Sequence, residues 1–228
     1  MTGNGRQSDP PAVRGIRPPL VGVLALQGDF REHADMLRLL GAEAREVRKP
    51  SELDGIDGLI LPGGESTTIA KLLDAYALRQ PIREFAHSGR PVFGTCAGLI
   101  MLAATTVEGG LETLGLIDIV ARRNAFGRQI HSCEADVDVA VLDGLAVHAV
   151  FIRAPWVESR GPGVAVLAQY EGHIVAAEQD NVLVTAFHPE LTSDTRMHEY
   201  FLARVRAVMV APVESKDECL QRREGVVS

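Results

Sequence analysis

The chain has 228 residues, 46% of them hydrophobic, and a formal net charge of −7. That length suits one well-packed domain, and the acidic balance argues against nucleic acid or an anionic membrane surface as the main partner. No apolar run reaches the ~20 residues of a membrane helix, and the three scattered cysteines, Cys96, Cys133 and Cys219, form neither a disulfide framework nor a CxxC metal pair, which fits a cytoplasmic protein.

Residues 1–19 are rich in Gly, Pro and Arg without periodicity and read as a disordered extension. From there strand and helix signals alternate. Leu20–Leu26 reads as a buried strand; it is too short for a signal core, and Gln27-Gly28-Asp29 follows it. Asp29–Leu40 has helical spacing and ends at Gly41, a C-cap residue. Glu43–Val47 and Asp57–Leu61 read as strands, Thr67–Leu78 as a helix with Ser66 or Thr67 at its cap, and Pro81–His87 as a short helix. Pro91–Phe93 is a strand and Ala97–Ala104 a helix. From Gly115 to Ala177 short β-branched runs alternate with Gly and Pro turns, Asn181–Phe187 is an apolar strand, and His198–Val210 the last helix. The pattern predicts a single three-layer α/β domain: a mostly parallel open sheet, helices on both faces and an antiparallel flank. The charged stretch 212–228 reads as a mobile tail.

The most informative string is Gly94-Thr95-Cys96-Ala97-Gly98, set between an apolar strand and a helical run. This is a nucleophile elbow with cysteine in the place of serine. The turn is too tight for side chains at the glycines, and the N-terminus of the following helix favours an anion at the sulfur. A sulfur nucleophile needs a proton carrier, and that carrier needs an orienting group. Phe187-His188-Pro189-Glu190 supplies both after an apolar strand, since residues i and i+2 of an extended backbone project to the same side. A third segment, Pro62-Gly63-Gly64-Glu65-Ser66, ends a strand in two glycines and a polar helix start. With the Ala97 N–H, a backbone N–H near Gly64 suits an oxyanion hole.

These strings together resemble the class I, triad-type glutamine amidotransferases, and within them the glutaminase subunits of pyridoxal 5′-phosphate synthase. The narrowing residues are Leu26-Gln-Gly-Asp-Phe-Arg-Glu-His33, Pro62-Gly-Gly-Glu-Ser-Thr-Thr68, Arg123-Asn-Ala-Phe-Gly-Arg-Gln129, Phe151-Ile-Arg-Ala-Pro155 and Phe187-His-Pro-Glu-Leu191. The resemblance runs from about residue 20 to 205, so it implies a flavodoxin-like glutaminase domain over 20–211. It implies that Cys96, His188 and Glu190 hydrolyse L-glutamine through a glutamyl thioester. Gly64, Glu65, Ser66, Arg123, Ile152 and Arg153 would hold the substrate, an arginine fork suiting its carboxylate. No nucleotide motif, cofactor or metal is expected, so the ammonia must be consumed elsewhere. The resemblance implies a (β/α)8-barrel synthase subunit, which joins ammonia to ribose 5-phosphate and glyceraldehyde 3-phosphate. The segment carrying Gln27, Gly28, Arg31, Glu32 and His33 is read as helping to dock it. The competing readings are a glutaminase for another synthase, such as that of imidazole glycerol phosphate, and a redox-sensing cysteine-elbow protein.

Overall fold

The computed structural model describes residues 17–125 and 132–210. The readings of an extension before residue 17, of Gln129 within the arginine-rich run and of the tail lie outside the described residues. In chain order the elements are β1 (Leu20–Leu24), α1 (Phe30–Leu39), β2 (Glu43–Val47), β3 (Gly58–Leu61), α2 (Ser66–Ala75), α3 (Arg79–His87), β4 (Val92–Thr95), α4 (Ala97–Leu102), β5 (Ala103–Thr106), β6 (Ile117–Arg122), β7 (Ser132–Val137), β8 (Val147–Ile152), β9 (Trp156–Arg160), β10 (Ala165–Tyr170), β11 (His173–Gln179), β12 (Val182–Thr185) and α5 (Arg196–Val210).

The main sheet runs β2-β1-β3-β4-β12-β11-β9-β6-β5, with β10 paired to β11 off that path. From β2 to β12 every neighbouring pair is parallel. Beyond β12 the pairs with β11, β9 and β6 turn antiparallel, which is the expected flank. Strands β7 and β8 form a separate antiparallel pair. The parallel strands are short and apolar because both faces are covered: Gly58–Leu61 and Val92–Thr95 are buried throughout.

Strand β4 shows how the two faces divide. The Phe93 ring packs against His198 and Phe201 of α5, and Thr95 Oγ1 meets His33 of α1. Gly94, between them, faces the opposite way: a Cβ there would stand 2.6 Å from Leu102 and 2.7 Å from the Gly98 backbone in α4. Helices α1 and α5 therefore share one face and α4 lies on the other, following the period of two along the strand. Large side chains such as Phe85, Phe93 and Phe201 are fully buried, each contributing roughly 1.5–3 kcal/mol of transfer free energy.

Two local readings change. The helix after the elbow stops at Leu102, and Ala103 turns extended (ψ 156°) to begin β5, since Thr105 and Thr106 are β-branched and pair with β6. The cap of α2 is Glu65 rather than Ser66 or Thr67, because its carboxylate accepts the backbone N–H groups of Thr67 and Thr68. The loops after β1, β3, β4 and β12 all open at the carboxyl ends of the parallel strands, where open α/β sheets form their sites.

Candidate active site

Cys96 follows β4 directly, with φ 47° and ψ −102°. A side-chain-bearing residue pays about 1–2 kcal/mol for such a backbone. The strain is held by its own N–H, which donates to Thr185 O of β12 at 2.8 Å, and by its carbonyl, which accepts from Ile100 at 3.3 Å. Gly98 lets the elbow close onto β3, since a Cβ there would come within 2.0 Å of the Leu61 carbonyl. The sulfur faces the Ile152 carbonyl at the end of β8, 3.8 Å away.

His188 lies just past β12, its N–H donating to Val150 O of β8 at 2.9 Å. Its Nδ1 lies 2.7 Å from Glu190 Oε1, both side chains buried. The pair meets as expected but by another route. Residues Pro189–Leu191 form a short 3₁₀ turn rather than an extended strand, and Pro189 starts that turn with its φ already fixed. Nε2, the other ring nitrogen, is buried without an aligned hydrogen bond and is left to the thiol.

Burial pushes the His188 imidazole down, but the nearby Asp29, Cys96 and Glu190 outweigh it, and the group is raised to about 12. Burial also raises Glu190, while the charge on His188 pulls it back. With acceptors on both sides of the ring, the shared proton belongs to His188.

Behind the pair, Glu190 Oε2 lies 3.3 Å from His33 Nε2, which is also 3.0 Å from Thr95 Oγ1. His33 Nδ1 in turn meets His198 Nε2 at 2.9 Å. Both histidines are 0% exposed. Burial drives His33 well below the ordinary histidine value and His198 to about 4, so both rings are neutral. His33 therefore does not belong to a docking face: it is a core residue behind the site. Its spacing carries the signal, for it lies one helical turn before the fully buried Leu37.

The remaining site residues line one cavity of about 320 Å³. Gln27, Gly28, Gly64, Glu65, Ser66 and Cys96 contribute to it, together with Arg123, Ile152 and Arg153. Ala97 follows the nucleophile as the first residue of α4. The Glu65 carboxylate is spent on the cap, where bonds from both the hydroxyls and the N–H groups of Thr67 and Thr68 offset its burial and hold it at about 2. Its backbone carbonyl is engaged too, accepting from the Ile69 N–H at 2.9 Å. The Glu65 N–H itself donates to Gln27 Oε1 at 2.7 Å. Gly63 O accepts the Asp29 N–H at 3.2 Å, so the Gly64 N–H on the same planar peptide points the other way. Gly64 has φ 152° and no room for a side chain, since a Cβ would stand 2.5 Å from Gln27 Oε1. Arg123 Nη2 rests 3.4 Å from Thr67 Oγ1, tying its head to the start of α2. Arg31 and Glu32 are exposed at the start of α1. Sequence reasoning misses Asp29, Ile100 and Asn124 as lining residues; Ile100 carries a spacing signal, one helical turn after Cys96 in α4, while Asp29 and Asn124 depend on which loops the fold brings together.

The model of the SNO glutamine amidotransferase family matches residues 23–207. The chain is 56% identical over 194 residues to pyridoxal 5′-phosphate synthase subunit PdxT of Streptomyces avermitilis, covering 84% of this chain and 96% of that one. It is 54% identical over 191 residues to the protein of the same name from Mycobacteroides abscessus, covering 83% and 98%. A solved structure described as a glutamine amidotransferase superposes with TM-score 0.78 at 49% identity, covering 82% of this chain and 98% of that one. PurLQS of Thermotoga maritima shares the fold at 18% identity and TM-score 0.55, covering 86% and 98%. Match and site together make this chain a member of the SNO glutamine amidotransferase family.

Proposed function

We propose that this chain is the glutaminase subunit of a pyridoxal 5′-phosphate synthase, hydrolysing L-glutamine to L-glutamate and ammonia through Cys96, His188 and Glu190. The observation that carries the reading is the division of labour on one ring: Nδ1 is held by Glu190 at 2.7 Å, and Nε2 is left free beside a strained cysteine.

The Cys96 sulfur attacks the carboxamide carbon, and the carbonyl oxygen takes up the negative charge. N–H groups of Gly64 and Ala97 stabilise that oxyanion. The His188 imidazolium gives its Nε2 proton to the departing nitrogen, the C–N bond breaks, and ammonia leaves a glutamyl thioester on Cys96. The now neutral imidazole takes a proton from water, whose oxygen attacks the thioester. Collapse expels the sulfur, releases glutamate and restores the imidazolium. Gly64, Glu65, Ser66 and Ile152 hold the substrate, while Arg123 and Arg153 take its α-carboxylate.

Ammonia is useful only where it is captured before it escapes to water. The identity to PdxT proteins supports a separate synthase subunit as the acceptor. We assign that partner as a (β/α)8 barrel, docked near Gln27, Gly28, Arg31 and Glu32 at the mouth of the site. Cys96 and Cys133 are free thiols, and among the described residues no helix is long and apolar enough to cross a membrane. Both observations support a cytoplasmic setting. The test is a glutamate-release assay with and without a pyridoxal 5′-phosphate synthase subunit, followed by detection of pyridoxal 5′-phosphate from the two sugar phosphates. Glutamate release coupled to product formation is the expected result. Release that supports only a different ammonia acceptor would overturn the assignment of the synthase.

A further inference from the structure

We infer that Asp29 is a positioning residue for His188: a second carboxylate on Nδ1 that shares the work of Glu190. This inference rests on the reading of Cys96, His188 and Glu190 as a working triad.

His188 Nδ1 has two carboxylate oxygens in reach, Glu190 Oε1 at 2.7 Å and Asp29 Oδ2 at 3.3 Å. The acceptor atoms of both acids and the ring nitrogen all lie within 4.8 Å of one another. Two carboxylates that close repel unless a positive charge stands between them. The imidazolium supplies it, and each acid in turn stabilises the imidazolium.

The arrangement is built from separate parts of the chain. Glu190 comes from the turn after β12, and its side chain is fully buried. Asp29 comes from the loop after β1, and its side chain is 37% exposed at the cavity mouth. Its backbone is pinned by the N–H bond to Gly63 O. Gly63 leaves the gap in which ring and acid meet: a Cβ there would stand 2.3 Å from His188 Cε1 and 3.2 Å from Asp29 Oδ2. An incidental surface acid needs no such gap. The His188 ring also lowers Asp29 below the ordinary carboxylate range, so ring and acid are both charged at neutral pH.

The other groups facing the ring are the Cys96 thiol, Glu190 and the neutral His33, with Arg123 and Arg153 along the cavity wall. Glu190 is buried and partly committed to His33 through its second oxygen. Among the described residues, Asp29 is the one acid on this ring that also lines the cavity. It strengthens His188 as the base of thioester hydrolysis and keeps the ring upright once Cys96 is acylated.

The test is a double-mutant cycle on glutamate release by the full chain with its synthase subunit, using Asp29→Asn, Glu190→Gln and the pair, with pH profiles of each. Asp29→Asn is near-isosteric at a partly exposed site, and thermal unfolding checks that it folds as wild type. The expected result is a loss of roughly tenfold for Asp29→Asn in wild type and of roughly a hundredfold or more in the Glu190→Gln background. The alkaline limb of kcat/KM should move to lower pH, and Asp29→Glu should restore it. Equal fold losses in both backgrounds, or unchanged pH limbs in Asp29→Asn, would overturn the inference. Cys96→Ala and His188→Ala are run alongside. If those retain activity, the triad reading fails; if they are dead while Asp29→Asn behaves as wild type, only the role of Asp29 fails.

Discussion

Glu190 spans two histidines of opposite character: Oε1 lies 2.7 Å from the charged His188, and Oε2 lies 3.3 Å from the neutral, fully buried His33. Charge favours one tautomer: a bare Nε2 on the neutral His33 would face the Glu190 carboxylate 3.3 Å away, so Nε2 carries the proton, Nδ1 accepts, and His198 Nε2 donates to it. That leaves His198 Nδ1 as a bare acceptor, in keeping with its buried position without a partner.

The neutral pair makes stability fall on the acid side of neutrality. His198 is held at about 4 by burial. Its folded pKa lies below its unfolded value, so the unfolded chain binds the extra proton and stability drops as pH falls from about 6.5 towards 4. The drop reaches up to about 3 kcal/mol. His188 has the opposite sign: its raised pKa stabilises the fold at low pH and is lost as pH rises towards 12, so it leaves this window alone. Urea midpoints taken at closely spaced pH values should decline through the window in wild type and less steeply in His198→Gln. Parallel slopes would show that His198 does not titrate on unfolding.

Arg123 and Arg153 line the same cavity as Cys96 and His188. Each Arg→Ala substitution should raise KM for glutamine about tenfold or more with little change in kcat, because a carboxylate bond made equally in ground and transition states is uniform binding. Steady-state glutamate release over a range of glutamine concentrations decides it. A kcat loss at unchanged KM would place these arginines elsewhere in the reaction.

Glu65 caps α2 through bonds from both threonines. Glu65→Ala should cost on the order of 1–2 kcal/mol, seen as a lower melting temperature. Its carboxylate sits at about 2 in the folded chain, below the unfolded value, so the stabilisation is present above about 4.5 and lost as pH falls towards 2. The gap between wild type and variant should therefore close in acid. If melting temperatures match at neutral pH, the capping account is wrong.

The alternation of strands and helices is legible in the sequence because short apolar runs and helical periods differ in kind. The elbow is legible because Gly94, Cys96 and Gly98 compress its steric demands into one string. His188 and Glu190 are legible as partners because they are near neighbours in the chain, although a 3₁₀ turn and not a strand joins them. Asp29 is different. Its contact with His188 is made across the strand ends: β3 and β4 lie between β1 and β12, and the loop after the first strand reaches over the β3 loop, where Asp29 N–H meets Gly63 O, to the turn after the last strand. Alternation alone does not contain that order. His33 is misread as a docking residue because the motif around it draws attention to the surface, while the helical period of α1 turns it inward.

The central claim is that Cys96 carries the glutamyl group. Its most direct test is peptide mapping after reaction with an electrophilic diazoketone analogue of glutamine, in the presence of the synthase subunit, with glutamate release followed in parallel. The account predicts a single adduct on Cys96, none on Cys133, activity lost in step with labelling, and a Cys96→Ala chain that folds normally but releases glutamate ~10⁴- to 10⁶-fold more slowly. Substantial glutamate release by Cys96→Ala, or by chains fully modified at Cys96, would contradict it.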